Sequence, residues 1–334
     1  MASARAIAPF TVHGGRLALA RAAFPGSADW IDLSTGISPW LYPAHTDTNM
    51  LHRLPEPGAL AGLEAAAAGM FGSDPALTIA VPGSDIALRL LGQVLAALGI
   101  NAPAVVGPGY SGHMAMWGTA TMVSGLATAG HDALVLARPN NPDGASVDYG
   151  ALAAAARALA DQQGWLIVDE AFADAGTAAS IAAARWPATI VLRSFGKFFG
   201  LAGLRLGIVI APPVVAGPLR RLLGDWPVSG PAIAIGTAAY RDHGWQAMQR
   251  QRLAQAADRL DAVLAAAGLH VGGGTSCFRL IETTDAPALF VRLARHGILT
   301  RPFADAPQRL RIGLPADDGQ FDRLAAALQP ESLP

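Results

Sequence analysis

A single lysine past the middle of the chain is the residue best placed for covalent chemistry. Lys197 lies in an apolar, glycine-rich segment, three residues after Ser194 and eight before Arg205. An ammonium in such surroundings is costly to desolvate, so it loses its proton readily and can attack an aldehyde. The hydroxyl and the guanidinium suit a phosphate. Together they indicate pyridoxal phosphate with Lys197 as its Schiff-base lysine; the alternative is a loop lysine that only solubilises a hydrophobic turn.

The composition excludes several other classes of protein. The 334 residues are 52% hydrophobic and 15% charged, with a net charge of -1 and no basic stripe, which argues against a nucleic-acid partner. No apolar stretch reaches the ~18 residues of a membrane span, and the N-terminus does not resemble a signal peptide. The one cysteine, Cys277, excludes an internal disulfide, and the eight histidines show no ligand-pair spacing. We therefore expect no metal and a reducing, cytoplasmic setting.

Short apolar runs bounded by glycine or proline alternate with longer alanine- and leucine-rich stretches. The predicted strands are 77–81, 104–106, 133–136, 165–168, 189–192 and 206–210, and the predicted helices are 60–70, 86–98, 149–163 and 178–185. Strand alternating with helix predicts an α/β fold with a mostly parallel central sheet covered on both faces.

A proline-rich stretch, 211–218, marks a change in organisation. Beyond it the predicted helices are 233–240, 245–268, 286–296 and 320–328, and the predicted strands are 276–282 and 309–313. This pattern indicates a smaller α+β domain. We predict an N-terminal arm, 1–40, that packs with the small domain, a large cofactor-binding domain, 41–212, and a small C-terminal domain, 213–334.

Two polar residues follow predicted strands, where open α/β sheets bind ligands. Asp169 ends the strand 165–168, and a carboxylate beside a pyridine nitrogen keeps that nitrogen protonated and makes the ring an electron sink. A cap on the next helix is the alternative role. Asn141 lies in the turn 138–144 and could donate to the phenolate oxygen of the same ring, although the turn could be purely structural.

Two loops could contact the rest of such a cofactor. Gly83, Ser84 and Asp85 precede the helix 86–98, whose start offers backbone N–H groups to an anion; a simple helix cap is the alternative. Tyr110 lies in a G-x-G-x-x-G segment, but Pro108 removes an N–H that a dinucleotide loop would use, so a nicotinamide site is disfavoured. Tyr110 could instead stack on a planar ring, or be a core tyrosine.

A pair of arginines near the C-terminus could bind a substrate anion. Arg309 and Arg311 both lie on a short predicted strand, 309–313. An arginine among apolar neighbours suits a bidentate grip on a carboxylate. A surface arginine on an edge strand is equally consistent with the pattern.

In chain order these motifs are Gly-Ser-Asp at 83–85, Tyr110, Asn-Asn-Pro-x-Gly at 140–144, Asp-Glu-Ala-Phe at 169–172, Ser-x-Gly-Lys at 194–197 with Arg205, and Leu-Arg-Ile at 310–312. Over nearly the whole chain they resemble fold-type I pyridoxal phosphate enzymes of aminotransferase classes I and II. The nearest branches are histidinol-phosphate aminotransferases and the threonine-phosphate decarboxylases of cobalamin synthesis. The segments 13–15, 32–39 and 51–57 are similar to the second branch.

The resemblance implies decarboxylation of L-threonine O-3-phosphate to (R)-1-aminopropan-2-yl phosphate. A histidinol-phosphate-type aminotransferase that acts on a phosphorylated amino acid with 2-oxoglutarate is the alternative, because the same residues serve both reactions. A catalytically idle scaffold would be marked by loss of Lys197 or Asp169, and both are present. The family also implies a homodimer with active sites shared across the interface.

Individual roles follow from the same resemblance. Lys197 and Asp169 would be catalytic. The residues that would hold the cofactor are Gly83, Ser84, Asp85, Tyr110, Asn141, Asp169, Ser194, Lys197 and Arg205. The residues that would contact the substrate are His13, Gly36, Ile37, Asn141 and Arg311. Arg311 would lie near the substrate carboxylate and His13 near the substrate phosphate.

Two positions depart from many relatives, which have tyrosines where this chain has Phe172 and Leu54. The first tyrosine bonds the ring oxygen, and the second reaches the neighbouring subunit's cofactor phosphate.

Overall fold

The apolar runs of the sequence form the strands of a computed structural model that describes residues 7–26, 29–45, 47–176 and 180–329. The strands are β1 (Ile31–Asp32), β2 (Thr78–Val81), β3 (Pro103–Val106), β4 (Thr121–Val123), β5 (Ala133–Ala137), β6 (Trp165–Asp169), β7 (Thr189–Ser194), β8 (Gly207–Ile210), β9 (His270–Thr275), β10 (Phe278–Glu282), β11 (Ile298–Leu299), β12 (Arg301–Pro302) and β13 (Arg309–Gly313).

The helices lie between these strands for most of the chain. They are α1 (Leu17–Ala23), α2 (Pro57–Phe71), α3 (Ser84–Ala97), α4 (Ser111–Met114), α5 (Tyr149–Asp161), α6 (Phe195–Phe198), α7 (Pro213–Leu223), α8 (Gly230–Arg241), α9 (His243–Ala266), α10 (Ala286–Arg295) and α11 (Asp318–Leu328). Short 3₁₀ turns occur at Ala8–Phe10, Thr48–Leu51, Pro75–Leu77, Ala173–Ala175, Ile181–Ala184 and Ala202–Leu204. No helix among these described residues is long and apolar enough to cross a membrane.

Two compact units divide the chain. The large unit is Leu41–Met248, and the small unit combines Met1–Trp40 with Gln249–Pro334. Their boundary lies inside α9, whereas the sequence places the end of the large domain at residue 212. The proline-rich stretch behind that placement forms helix α7 instead. Pro213 lies in its first turn, where the missing N–H is tolerated, and Pro218 lies inside the helix.

The large unit is built on a seven-stranded sheet of order β2-β8-β7-β6-β5-β3-β4. β8 runs antiparallel to β2 and β7, and the other pairings are parallel. All residues of β2, β5 and β8 are buried. A sheet covered on both faces needs apolar side chains on both, which is why these strands read as continuous apolar runs in the sequence.

The small unit contains an antiparallel sheet of order β12-β13-β10-β9 and a parallel pair, β1-β11. β1 joins the N-terminal segment to this unit, with Ile31 opposite Ile298 and Asp32 opposite Leu299. In the larger sheet Arg301 of β12 lies directly opposite Arg311 of β13. This register places two arginines side by side, which becomes important at the candidate site.

One predicted helix of the large unit is wrong, and one strand was missed. The predicted helix 178–185 is only a 3₁₀ turn at Ile181–Ala184 where the structure describes it, and residues 178 and 179 lie outside the described residues. The edge strand β4 was not predicted. Its residues are exposed or half-buried, with Met122 58% exposed, so the apolar pattern that reveals the inner strands is missing.

A buried ionic network joins the ends of β6 and β7. The guanidinium of Arg193 donates to Glu170 Oε2 at 2.6 Å and to Asp174 Oδ1, and all three residues are buried. Glu170 also accepts from Ser180 Oγ at 2.5 Å and from the backbone N–H of Ile181 at 3.0 Å. Burial alone would lower the pKa of Arg193, but the two carboxylates outweigh it and raise that pKa. Arg193 therefore stays charged.

Replacing Arg193 tests how much this network contributes to stability. Arg193→Met removes the guanidinium shared by the two buried carboxylates, and the contact of Glu170 with Arg138 that remains is longer, at 3.6 Å. We therefore expect a loss of about 3–5 kcal/mol in the free energy of unfolding. The urea midpoint, followed by circular dichroism, measures the change. The control is Arg89→Met, which removes an exposed ion pair to Asp85 (3.6 Å) and should cost at most about 1 kcal/mol. Equal midpoints for the two variants would contradict the expectation.

Candidate active site

The central sheet brings several predicted site residues to one edge. Asp169 is the last residue of β6 and Ser194 the last of β7, and these strands are parallel neighbours. Asn141 follows β5, whose Ala137 pairs with Asp169. The turn that contains Asn141 is tied to the next loop because Asn140 Nδ2 donates to the carbonyl oxygen of Pro108 at 2.9 Å. All these residues lie where parallel strands end, the usual ligand-binding edge of such sheets.

Lys197 lies in the one-turn helix α6, directly after Ser194. It is half-buried, whereas its neighbours Phe195 and Phe198 are fully buried. Its Nζ lies 5.6 Å from the centroid of the Phe172 ring, which is within cation–π distance. The residue that replaces the family's tyrosine is therefore a direct neighbour of the lysine.

Asp169 has a hydrogen bond on each carboxylate oxygen. Oδ1 accepts from the backbone N–H of Ala171 at 3.0 Å, and Oδ2 lies 3.0 Å from Nε2 of His113. His113 is fully buried, and among the described residues its Nδ1 has no hydrogen-bond partner. A neutral ring with its proton on Nε2 fits both facts, because a proton on Nδ1 would be a buried, unsatisfied donor.

His113 was missed by the sequence analysis. It lies three residues after Tyr110, in α4, and 56 residues before Asp169. The available signal was its spacing, since a histidine one helical turn beyond a ring-stacking tyrosine faces the same way. That spacing alone does not identify the carboxylate as its partner.

The start of α3 and Arg205 lie close together. Gly83 precedes the helix with φ +99°, and a Cβ placed on it would lie 2.7 Å from Nη2 of Arg205. A Cβ on Gly207 would lie 2.8 Å from the backbone nitrogen of Ser84, and Gly207 pairs with Ser194 in the sheet. Gly83, Ser84, Ser194 and Arg205 are therefore neighbours around helix N–H groups, an arrangement suited to a phosphate.

Asp85 and Tyr110 contact each other. The Tyr110 hydroxyl donates to Asp85 Oδ1 at 2.8 Å, and the Tyr110 ring meets the His113 ring edge-on at 5.6 Å between centroids. Burial, followed by the hydrogen bond to Asp85, raises the pKa of Tyr110. The carboxylate of Asp85 is thus directed at Tyr110 rather than presented to an anion.

The substrate residues expected from the N- and C-terminal segments meet within the small unit. Nη2 of Arg311 donates to the carbonyl oxygen of Ser34 at 2.9 Å, and the Ser34 hydroxyl accepts from the backbone N–H of Gly15 at 2.7 Å. The segment with His13 therefore lies against the segment with Gly36 and Ile37. His13 is exposed, Ile37 half-buried and Gly36 buried. Asn141, the remaining predicted substrate contact, belongs to the large unit.

Arg301 is a second residue that the sequence analysis missed. It lies opposite Arg311 and donates from Nη2 to the carbonyl oxygen of Val12 at 3.3 Å. Burial, and then the charge of Arg301, lower the pKa of Arg311 to about 9. Like charges directly across a ladder are destabilising, so this pair favours an anionic ligand. The pairing was hidden because β12 has only two residues and gives no periodic pattern.

The described residues fit the cofactor that the sequence predicts. A phosphate requires backbone donors and a cation, which the start of α3 and Arg205 provide. Glycine at position 83 lets the Arg205 guanidinium approach this turn, because a Cβ there would lie 2.7 Å from Nη2. A pyridinium nitrogen requires a buried carboxylate held in one orientation, which Asp169 provides through His113 and Ala171. Lys197 supplies the amine in the same unit.

Removing His113 tests this arrangement. His113→Leu deletes one of the two donors that orient Asp169, and hydrogen bonds to charged groups contribute about 1.5–3 kcal/mol. We expect the dissociation constant for pyridoxal phosphate, measured by equilibrium dialysis, to rise about ten- to hundredfold. His131→Leu is the control, because His131 precedes β5 at the opposite edge of the sheet. An unchanged constant in His113→Leu would contradict the role of His113.

Comparison with known proteins supports the same family. Residues 118–328 match the family model described as aminotransferase class I and II. The chain is 40% identical over 329 residues to the threonine-phosphate decarboxylase of Pseudomonas aeruginosa, covering 95% of this chain and 96% of that protein. It is 38% identical to a threonine-phosphate decarboxylase of a Sinorhizobium species, covering 95% and 97%.

A solved structure confirms the fold. The histidinol-phosphate aminotransferase of Sinorhizobium meliloti, crystallised with pyridoxal-5'-phosphate, superposes with a TM-score of 0.75 at 24% identity, covering 89% of each chain. This likeness shows the fold type I architecture that the sequence resemblance implies, with a mostly parallel central sheet. Because the family model spans more than half of the chain and the similarity to curated relatives extends over nearly all of it, the chain belongs to the aminotransferase class I and II family.

Proposed function

We propose that this protein is a pyridoxal phosphate-dependent lyase that decarboxylates L-threonine O-3-phosphate to (R)-1-aminopropan-2-yl phosphate in cobalamin synthesis. The observation that carries the proposal is the near full-length similarity to two threonine-phosphate decarboxylases. We further propose that it acts in the cytoplasm as a homodimer, without a nucleic-acid or membrane partner. The proposed substrate is a small phosphorylated amino acid with two anionic groups.

In this proposal the large unit holds the cofactor. Lys197 attaches it covalently, Asp169 faces the ring nitrogen, Asn141 faces the ring oxygen and Tyr110 stacks on the ring. Its phosphate is received by Gly83, Ser84, Ser194 and Arg205. When bound, pyridoxal phosphate supplies an electron sink for the pair left on the α-carbon as carbon dioxide departs.

The main catalytic task of the protein's own groups is proton transfer. Loss of carbon dioxide leaves the α-carbon one proton short, and Nζ of Lys197 is the acid proposed to supply it. Phe172 gives this nitrogen an apolar neighbour without a competing hydroxyl. Asp169 stays fixed throughout because Ala171 and His113 each hold one of its oxygens.

The small unit supplies the proposed substrate contacts. Arg311 takes the substrate carboxylate, His13 is proposed for the substrate phosphate, and Gly36 and Ile37 lie beside the substrate. The charge of Arg301 next to Arg311 favours a substrate with two anionic groups. Contacts to a phosphate remote from the reacting carbon can also orient the amino acid so that the carbon–carboxylate bond is the one that breaks.

Product analysis tests the reaction. Purified enzyme with pyridoxal phosphate and L-threonine O-3-phosphate should release carbon dioxide and (R)-1-aminopropan-2-yl phosphate whether or not 2-oxoglutarate is present. Lys197→Ala, the matched control, should give neither product. If glutamate forms only with 2-oxoglutarate and no carbon dioxide appears, the enzyme is an aminotransferase and the proposed reaction is wrong.

The attachment point can be tested separately, because Lys197 is the only lysine in the sequence. After borohydride reduction of the enzyme with pyridoxal phosphate, intact mass spectrometry should show one added reduced cofactor per chain, on the peptide that contains Lys197. Lys197→Ala should show no addition. A variant that still gains one cofactor, for example at the N-terminal amine, would overturn the assignment.

The lowered pKa of Arg311 predicts a pH dependence of anion binding. The guanidinium loses its charge as the pH rises through about 9, so affinity for an anion should be constant below that pH and fall above it. Acetate, which carries the carboxylate that Arg311 is proposed to bind and stays ionised in this pH range, should act as a competitive inhibitor of the holoenzyme whose inhibition constant rises by up to about tenfold per pH unit above this point.

Two variants separate the candidate arginine from its neighbour on the strand. Arg311→Met should weaken inhibition by acetate and remove its dependence on pH. Arg309→Met should retain both, because the Arg309 side chain is partly exposed at the start of β13 and already pairs with Glu282 at 2.8 Å. A pH dependence that survives in Arg311→Met belongs to another group.

A further inference from the structure

Asp85 occupies an unusual position for a residue near a phosphate site. It lies in the first turn of α3, beside the N–H groups that suit an anion, and its own carboxylate is negative. Like charges repel, so a carboxylate facing a phosphate would weaken binding. In the structure the Asp85 carboxylate contacts two other side chains. Its Oδ1 accepts from the Tyr110 hydroxyl at 2.8 Å, and its Oδ2 lies 3.6 Å from Nε of Arg89.

Tyr110 is constrained at three places. Its hydroxyl is held by Asp85, and its edge meets the ring of His113 at an interplanar angle of 89°. Its ring also lies against Gly112, where a Cβ would come within 2.2 Å of Cε1. These three contacts hold the Tyr110 ring in a single plane. Because burial and Asp85 raise the pKa of the phenol, it stays protonated and remains a donor to the carboxylate.

We infer that Asp85 is a positioning residue that acts through Tyr110, fixing the plane in which that ring stacks on the cofactor, and that its side chain does not bind the cofactor phosphate. The backbone N–H of this turn remains available to the anion. The inference rests on the proposed cofactor site, and it makes specific the cofactor-binding role that the family resemblance implies for Asp85.

The contacts extend beyond this pair. Tyr110 contacts His113, and His113 contacts Asp169, so one continuous series of side chains joins the start of α3 to the carboxylate at the end of β6. Arg89 stands outside this series, since its side chain is 55% exposed and its ion pair with Asp85 is solvent-screened. Loss of Arg89 should therefore leave the ring in place.

A double-mutant cycle with Asp85→Ala and Tyr110→Phe tests the inference. Each single change deletes the same hydrogen bond, so each should raise the dissociation constant for pyridoxal phosphate about tenfold in apoenzyme titrations. The double variant should bind no more weakly than the weaker single variant, because nothing further is lost. A double variant weakened by the product of the two effects would mean that Asp85 acts on the cofactor directly, which overturns the inference.

A second readout reports ring orientation. The induced circular dichroism of the bound cofactor should change in the same way in Asp85→Ala and Tyr110→Phe. It should stay at the wild-type value in Asp85→Asn, which keeps an oxygen to accept from the hydroxyl, and in Arg89→Gln. A purely structural role for Asp85 would lower the urea midpoint without altering this signal, and that result would also overturn the inference.

The cycle remains informative if Asp85→Ala does not fold, because Tyr110→Phe and Asp85→Asn then carry the test. Asp85→Asn should bind the cofactor within about threefold of wild type. Binding clearly tighter than wild type would reveal repulsion between Asp85 and the phosphate and contradict the inference. These readouts concern cofactor binding alone, so they hold even if product analysis shows an aminotransferase instead of a decarboxylase.

Discussion

The buried contact of Arg193 with Glu170 and Asp174 is the interaction on which the candidate cofactor site depends. Glu170 follows Asp169, and Arg193 precedes Ser194, so each strand end carries one site residue and one member of the network. Successive side chains on an extended backbone point to opposite faces. The network can therefore fix the strand ends from one side while the site residues project from the other. Nη1 of Arg138 also lies 3.6 Å from Glu170 Oε1, so two guanidiniums face two carboxylates. Both strands can therefore end in polar residues without an uncompensated charge in the core.

Phe172 illustrates how this site differs from that of many relatives. A tyrosine at this position would give the cofactor oxygen a second donor, whereas Phe172 presents only its ring to Lys197. In the proposed reaction the lysine returns a proton to carbon, so an apolar neighbour limits the competing partners of its nitrogen. In the small unit, by contrast, Arg311 has a charged neighbour, because Arg301 lies directly opposite it. The chain thus combines an aromatic ring beside its lysine with a pair of neighbouring arginines in the small unit.

Most of the large unit could be predicted from the sequence because its strands are buried on both faces and appear as continuous apolar runs. Strand β4 was not predicted because it is an exposed edge strand. Helix α7 was not predicted because proline was taken as a boundary, although proline is tolerated in the first turn of a helix. The site residues carried by motifs were identified, and their roles stay predictions. His113 and Arg301 were missed because their significance lies in partners distant along the chain, Asp169 and Arg311, and one sequence contains no signal for such pairs.

The composition around Lys197 also bears on cofactor loading. Pyridoxal phosphate is a reactive aldehyde that adds to accessible amines, and in most proteins an excess of it modifies surface lysines. Lys197 is the only lysine, and the guanidinium groups of the arginines are poor nucleophiles toward an aldehyde. Apart from the chain terminus, amine chemistry is confined to one nitrogen. Saturation with cofactor should therefore give a homogeneous protein, and its stoichiometry would report site occupancy directly.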